Sequence, residues 1–441
     1  MRSSHTLAAI ETTFDEDNLV ANAGLLAPGA LAQKLGVAEL IDEHLQLPAD
    51  AVGRANGGTK AMTVIGAMLA GGDSIADVDV LRAGAGPELF DQGRAPSTIG
   101  TWLRGFIWAS VRMLDKVSRQ VLARAWQAGL GPDLDADLTV DFDSTILQVY
   151  GTGKQGARFG YTKVRGYHPL LATLASTGEV LHARMRGGNA GAARGAGSFV
   201  RETISRIRHA GATGKLTFRA DSAFYSRAFI TACQDHDVAF SVTVDKNSAI
   251  RRAIGQIDDD AWVPIPYWLD GGADVAETTY TAFKGTKDAV ELRLIVRRVR
   301  PTPGSQLALD VVFDYHAILT DRTEPLLELE ADHRRHAVVE LAIRDLKAGG
   351  LAHVPSGIFT ANAAWLALAV LAHNLGRWTL AAAGEGWSKA TTETLRTKLV
   401  SMPARLVHSA RRLKLRAPTN WPWHEAFQAA IVRIAAIPAP T

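Results

Sequence analysis

Acidic side chains at three separated places have the types and settings to share a metal-dependent site. In Leu138-Thr139-Val140-Asp141-Phe142-Asp143, apolar and polar residues alternate, and a period of two puts both aspartates on one face of a strand. Asp221 follows a second strand-like run, Lys215 to Ala220. Glu340 lies in a helical segment, Ala331 to Lys347, where 100° per residue gathers His333, His336, Glu340, Arg344 and Lys347 within an arc of roughly 80°. A solvated helix face has the same look, so context must decide between the two readings. Carboxylates gathered in one place repel one another unless cations neutralise them, and hard oxygen donors favour Mg²⁺ or Mn²⁺. Two such ions about 3.5 to 4 Å apart activate an attacking oxygen and stabilise the leaving oxygen of an in-line phosphodiester displacement.

The elements between these acids predict a scaffold that would bring them together. After the strand with Asp141 and Asp143 come β-like runs at His168 to Ala175 and Glu179 to Met185, joined by the turn Ser176-Thr177-Gly178. A helix at Ser198 to His209, the strand Lys215 to Ala220, a helix at Arg227 to Gln234 and a strand at Val238 to Val244 complete the order. Three antiparallel strands followed by parallel additions give an α/β mixed sheet flanked by helices, the order of an RNase H-like core. Its strand ends and last helix are where the three acidic positions would converge. Between Asp245 and Glu330 the runs Glu277 to Phe283, Val290 to Arg300 and Leu307 to Thr320, with a turn at Pro301-Thr302-Pro303-Gly304, read as a β-rich insertion ahead of the last core helix. Residues 28 to 130 read as helical, with segments such as Pro28 to Leu47 and Gly105 to Leu130. There Ser97 offers an N-cap for a short helix carrying Trp102 and Arg104, a candidate recognition element or else a capped core helix.

Asp143-Ser144-Thr145, Asp221-Ser222-Ala223-Phe224-Tyr225, and Glu340 with Lys347 seven residues on resemble the DDE motifs of bacterial insertion-sequence transposases. Gly166-Tyr167-His168-Pro169-Leu170 and Arg186-Gly187-Gly188-Asn189 resemble one group of them, the insertion-sequence family numbered 1380, and the likeness runs from about residue 15 to 430. The resemblance implies Asp143, Asp221 and Glu340 as ligands of two Mg²⁺ or Mn²⁺ ions, with Asp141 as the fallback for the first position, otherwise a strand-end carboxylate facing solvent. It implies Lys347 set against DNA or a phosphate near the site. Where the related signature has a tyrosine and an arginine seven and four residues before the glutamate, this chain has His333 and His336. It further implies an enzyme that binds double-stranded DNA, both the inverted repeats at an element's ends and a target, with a homodimer holding the two ends together.

Charge must be read locally, because 48 basic against 45 acidic residues leave a net of only +3. Lys389 to Arg416 is the basic stretch, with Lys389, Arg396, Lys398, Arg405, Arg411, Arg412, Lys414 and Arg416 against the single acid Glu393, a net of +7. That composition suits phosphate binding. Arg293, Arg297, Arg298 and Arg300 form a smaller cluster in the insertion, and Trp262 and Trp268 there either pack against the core or, as the resemblance to transposases with such an insertion implies, stack on a flipped base. Trp421 and Trp423 read as anchors for the C-terminal segment.

At 441 residues with 47% apolar and 21% charged side chains, the chain is an ordinary globular protein with room for several domains. We expect a helical DNA-binding region at 1–132, core segments at 133–245 and 331–380 around an insertion at 246–330, and a basic region at 381–441. The longest apolar run, Ala363 to Ala372, is ten residues, about half of a membrane span, so no membrane association is expected. A single cysteine, Cys233, and no signal-like N-terminus point to the cytoplasm. The function expected is Mg²⁺-dependent cleavage at transposon ends and strand transfer into target DNA. The alternatives are a nuclease that cuts without joining and a DNA-binding descendant that has lost turnover.

Overall fold

The computed structural model describes residues 7–90, 93–160, 162–191, 193–269, 271–300 and 313–438. Its centre is one sheet of nine strands: β1 Leu138–Ser144, β2 Leu170–Leu174, β3 Val180–Arg184, β4 Leu216–Ala220, β5 Ala239–Val244, β6 Val263–Ile265, β7 Ala273–Ala282, β8 Val290–Val299 and β9 Asp314–Thr320. They lie in the order β6-β7-β8-β9-β5-β4-β1-β2-β3. β1, β2 and β3 pair antiparallel, whereas β4 and β5 add in parallel beside β1. The strand order 3-2-1-4-5 within this half is that of an RNase H-like core, as the element order predicts.

All five residues of β2 are buried, as a strand covered on both faces must be. Phe142 on β1 is the hub of one face, with its ring centroid 4.8 Å from Phe218, 5.9 Å from Phe199 and Phe229, and 6.0 Å from Phe224. Those partners come from β4, its following turn, and the helices Ala196–His209 and Arg227–Gln234. The longest apolar run falls in the helix Phe359–Ala383, which is buried on nearly all sides. It packs against helices of the N-terminal region, the C-terminal helix His424–Ala436 and β3. Among the described residues no helix is long and apolar enough to cross a membrane.

Several expectations change. The segment Pro28 to Leu47 is two helices, Leu26–Lys34 and Val37–His44, broken where Gly36 takes a left-handed φ of 66°. Ser97 is not an N-cap; the helix Pro96–Arg104 starts one residue earlier, behind Ala95, with proline at its first position. Trp102 of that helix is fully buried, which makes it a core residue, while Arg104 is exposed and donates to Thr101.

The insertion does form strands, and they extend the core sheet: β9 lies antiparallel beside β5, with Ile318 opposite Thr243. β6 is an added edge strand, a position that tolerates Pro264. The turn at 301–304 and the first half of the third expected run lie outside the described residues. The basic C-terminal stretch contains a hairpin, Ala404–Ser409 with Arg412–Arg416, to which Leu19–Val20 adds a third strand. Ala410 and Arg411, at φ 47° and 65°, make its two-residue turn.

Because Phe142 joins four aromatic partners in a fully buried site, Phe142→Ala should cost about 3–5 kcal/mol. Urea unfolding should show a lower midpoint with an unchanged slope.

Candidate active site

Parallel pairing of β1 and β4 sets Phe142 beside Ala220, and the next step in that register brings Asp143 level with Asp221. Asp221 caps the short turn Ser222–Phe224 by accepting the Ala223 amide at 3.1 Å. Asp143 accepts the Ser144 amide at 2.6 Å. Glu340 is exposed in the first turn of the helix Val339–Lys347.

Asp221 and Glu340 both act electrostatically on Asp143. Burial, with the charges of Asp221, Glu340 and Asp141 adding to it and the Ser144 amide opposing, raises Asp143 to about 7. Burial also raises Asp221, with Asp245 adding to the effect while His336 and the Ala223 and Phe224 amides oppose it. Burial lowers the Lys347 amine, which the Asp143 charge partly offsets, so that cation faces the same cluster. Among the described residues none of Asp143, Asp221 and Glu340 has an ion-pair partner. Oxygen-only donors under mutual repulsion suit a hard divalent cation.

Asp141 has another job. It is fully buried, not solvent-facing, and its two oxygens accept from Arg219 Nε at 2.7 Å and Nη2 at 2.9 Å. Arg219 Nη1 reaches the carbonyl of Asp332 at 2.6 Å and its Oδ1 at 3.1 Å, and Arg322 binds Asp332 from the other side at 2.5 Å. Asp332 belongs to the helix Leu326–Arg334, so Arg219 fastens the segment leading to Glu340 onto β1 and β4. Arg219 escaped the sequence reading. The signal was there, since Arg219 stands two residues before Asp221 as Asp141 stands two before Asp143, and the register pairs them.

The stripe expected on one helix is divided. A 3₁₀ turn, Arg335–Val338, separates Leu326–Arg334 from Val339–Lys347, and three residues per turn shift the faces out of line. His333 is therefore buried, with Nδ1 2.7 Å from Ser241 Oγ and Nε2 3.0 Å from Thr243 Oγ1. Burial holds it well below the usual histidine range, so it is neutral and does not face DNA. His336 stacks on it at 6.1 Å and donates from Nε2 to the Phe142 carbonyl at 3.1 Å, which places it beside the acids.

A second group also invites attention. Asp115, His182 and Glu202 offer ligand atoms all within 4.8 Å of one another. Arg206 binds Asp115, Arg184 binds Glu202, and Arg112 touches both, so these carboxylates already have counter-charges that a metal ion would have to displace.

A family pattern described as transposase DDE domain group 1 matches residues 3–439. The chain belongs to this family. The DDE transposase is also similar to the solved piggyBac transposase synaptic complex with hairpin DNA, at 13% identity and a TM-score of 0.40, over 86% of this chain and 80% of that one. No curated protein matches it.

In this transposase the four clustered arginines of the insertion are ion-paired. Arg293 pairs with Glu277, Arg297 with Glu330, and Arg298 and Arg300 share Asp274. Trp262 is half-buried against Tyr315 and under Arg298, 4.2 Å from its ring, while Trp268 is 77% exposed. In the basic stretch Arg396 donates to the Ala348 carbonyl, Lys398 lies over Trp387 and Trp423, and Arg405 pairs with Glu16. Arg411, Arg412 and Lys414 are exposed on the hairpin, with no ion pair among the described residues.

Removing Arg219 strands a buried carboxylate, so Arg219→Met should cost about 3–5 kcal/mol, and adding Asp141→Asn should recover part of that in a double-mutant unfolding cycle. A carboxyl raised from 3.8 to about 7 keeps its proton in the folded state, so its stabilising contribution is full below pH 3.8 and is lost as the pH rises through 7. At about 1.4 kcal/mol per pH unit, metal-free wild type should lose a few kcal/mol over that window relative to Asp143→Asn. Thermal unfolding of both proteins at pH 5 and pH 8 checks this.

Proposed function

We propose that this protein is a DNA transposase of the insertion-sequence type, in the bacterial family numbered 1380, cleaving at its element's inverted repeats and joining the freed ends to a target. What supports this reading is the family match together with the position of Asp143 and Asp221 at the neighbouring ends of β1 and β4, where Asp221 and Glu340 both raise the Asp143 carboxyl and no cation is ion-paired to any of the three among the described residues. These residues would hold two Mg²⁺ or Mn²⁺ ions, which supply activation of the attacking oxygen and stabilisation of the leaving one. Water would attack first and the released 3′-hydroxyl second. Lys347 would meet a phosphate beside the acids. The free cations Arg411, Arg412 and Lys414, with Arg344 and the helical region at 1–132, would hold DNA, and Trp268 is placed to stack on a base. A homodimer would bring two ends together. The cytoplasm is the setting this requires.

A supercoiled plasmid carrying the element's ends, incubated with Mg²⁺, tests the proposal. Joined product supports transposition, whereas nicks alone indicate a nuclease, and binding without cleavage a regulator. Asp221→Asn and Glu340→Gln should each lower cleavage by about 10³-fold or more while end binding stays within about threefold. Mg²⁺ should raise the melting temperature of wild type and leave that of Asp221→Asn nearly unchanged.

A further inference from the structure

A cavity of about 270 Å³ lies behind the helix Val339–Lys347, walled by that helix, the β2–β3 turn and residues 388–391, with Asp141 on its lining. Its walls are braced. Arg377 donates to the carbonyls of Thr177, Ser388 and Ala390, and Asp345 accepts from the Thr392 amide and hydroxyl. The volume far exceeds the roughly 30 Å³ of one water. Val338 and Leu341, 43% and 48% exposed, give it an apolar side next to Glu340.

Three groups in it await a partner. His373 is 95% buried, its Nε2 lies 2.9 Å from the Gly178 carbonyl, and its Nδ1 has no hydrogen bond among the described residues. A carbonyl only accepts, so Nε2 carries the proton; burial keeps the ring neutral, and Nδ1 is left as a lone-pair acceptor. Arg344 and Lys389 are exposed on the lining with no ion pair among the described residues, and Asp345 is offset by Arg377. An apolar slot, a buried acceptor and two free cations are complementary to a nucleoside phosphate.

We infer that this cavity is a nucleotide subsite, taking one nucleotide of a DNA strand with its base against Val338 and Leu341, a base N–H on His373 Nδ1 and its phosphate at Arg344 and Lys389. The inference rests on the transposase reading for the source of the nucleotide, and its test runs without metal ions, so that loss of cleavage and loss of this subsite are distinguished.

Calorimetric titration of the full chain with dAMP, 2′-deoxyadenosine and inorganic phosphate provides that test. dAMP should bind at least tenfold tighter than either part, and a 15-mer of oligothymidylate should displace it. Arg344→Gln with Lys389→Gln, both at exposed positions, should reduce dAMP to the affinity of deoxyadenosine, and His373→Phe should weaken both ligands. Phosphate binding as tightly as dAMP, dAMP binding unchanged in the double variant, or failure of the oligonucleotide to compete would each overturn the subsite.

Discussion

Arg219 is a guanidinium with almost no access to water, and every part of the candidate site is set by what it holds. It grips Asp141 on the strand of Asp143 and Asp332 on the helix that precedes Glu340, while sitting on the strand that ends at Asp221. A buried charge is tolerated only when its donors are satisfied, so the strand and the helix cannot drift apart without exposing an unpaired ion to a low-dielectric interior. His333 and His336 add hydrogen bonds to β5 and β1 at the same junction. Three mutually repelling acids are thereby held near one another by contacts that do not involve their own carboxylates.

The insertion obeys the same economy of charge. Its long strands, β7 and β8, continue the core sheet through β9, so it is joined to the core by a hydrogen-bonded ladder. Its clustered arginines Arg293, Arg297, Arg298 and Arg300 each meet an acid from a neighbouring strand or helix. Counterion release requires cations free in the unbound protein, and exposed cations without an ion pair among the described residues include Arg411, Arg412 and Lys414 on the C-terminal hairpin and Arg344 on the helix of Glu340.

The strand order and the fold class were legible because two-residue alternation and turn residues mark strands locally. Burial was not. Alternation puts Asp141 and Asp143 on one face but cannot show that one is sealed under Arg219, a partner 78 residues away. The five-residue stripe failed at His333 for a related reason: one 3₁₀ turn, invisible to a 100° count, rotates the first half of the segment inward. Counting arginines in the insertion likewise missed Asp274 and Glu277, which come from the strand opposite.

The raised Asp143 carboxyl links folding to the chemistry proposed for the site. Gathering the acids costs free energy that the clamp at Arg219 and the aromatic packing around Phe142 must offset, because among the described residues none of the acids has an ion-pair partner and Lys347 faces only Asp143. A divalent cation bound to ionised carboxylates would return that cost, and it would have to displace the proton that Asp143 holds near neutrality. Metal affinity and stability are therefore coupled through one group, and their pH dependences run in opposite directions: rising pH weakens the metal-free fold while it readies the ligand.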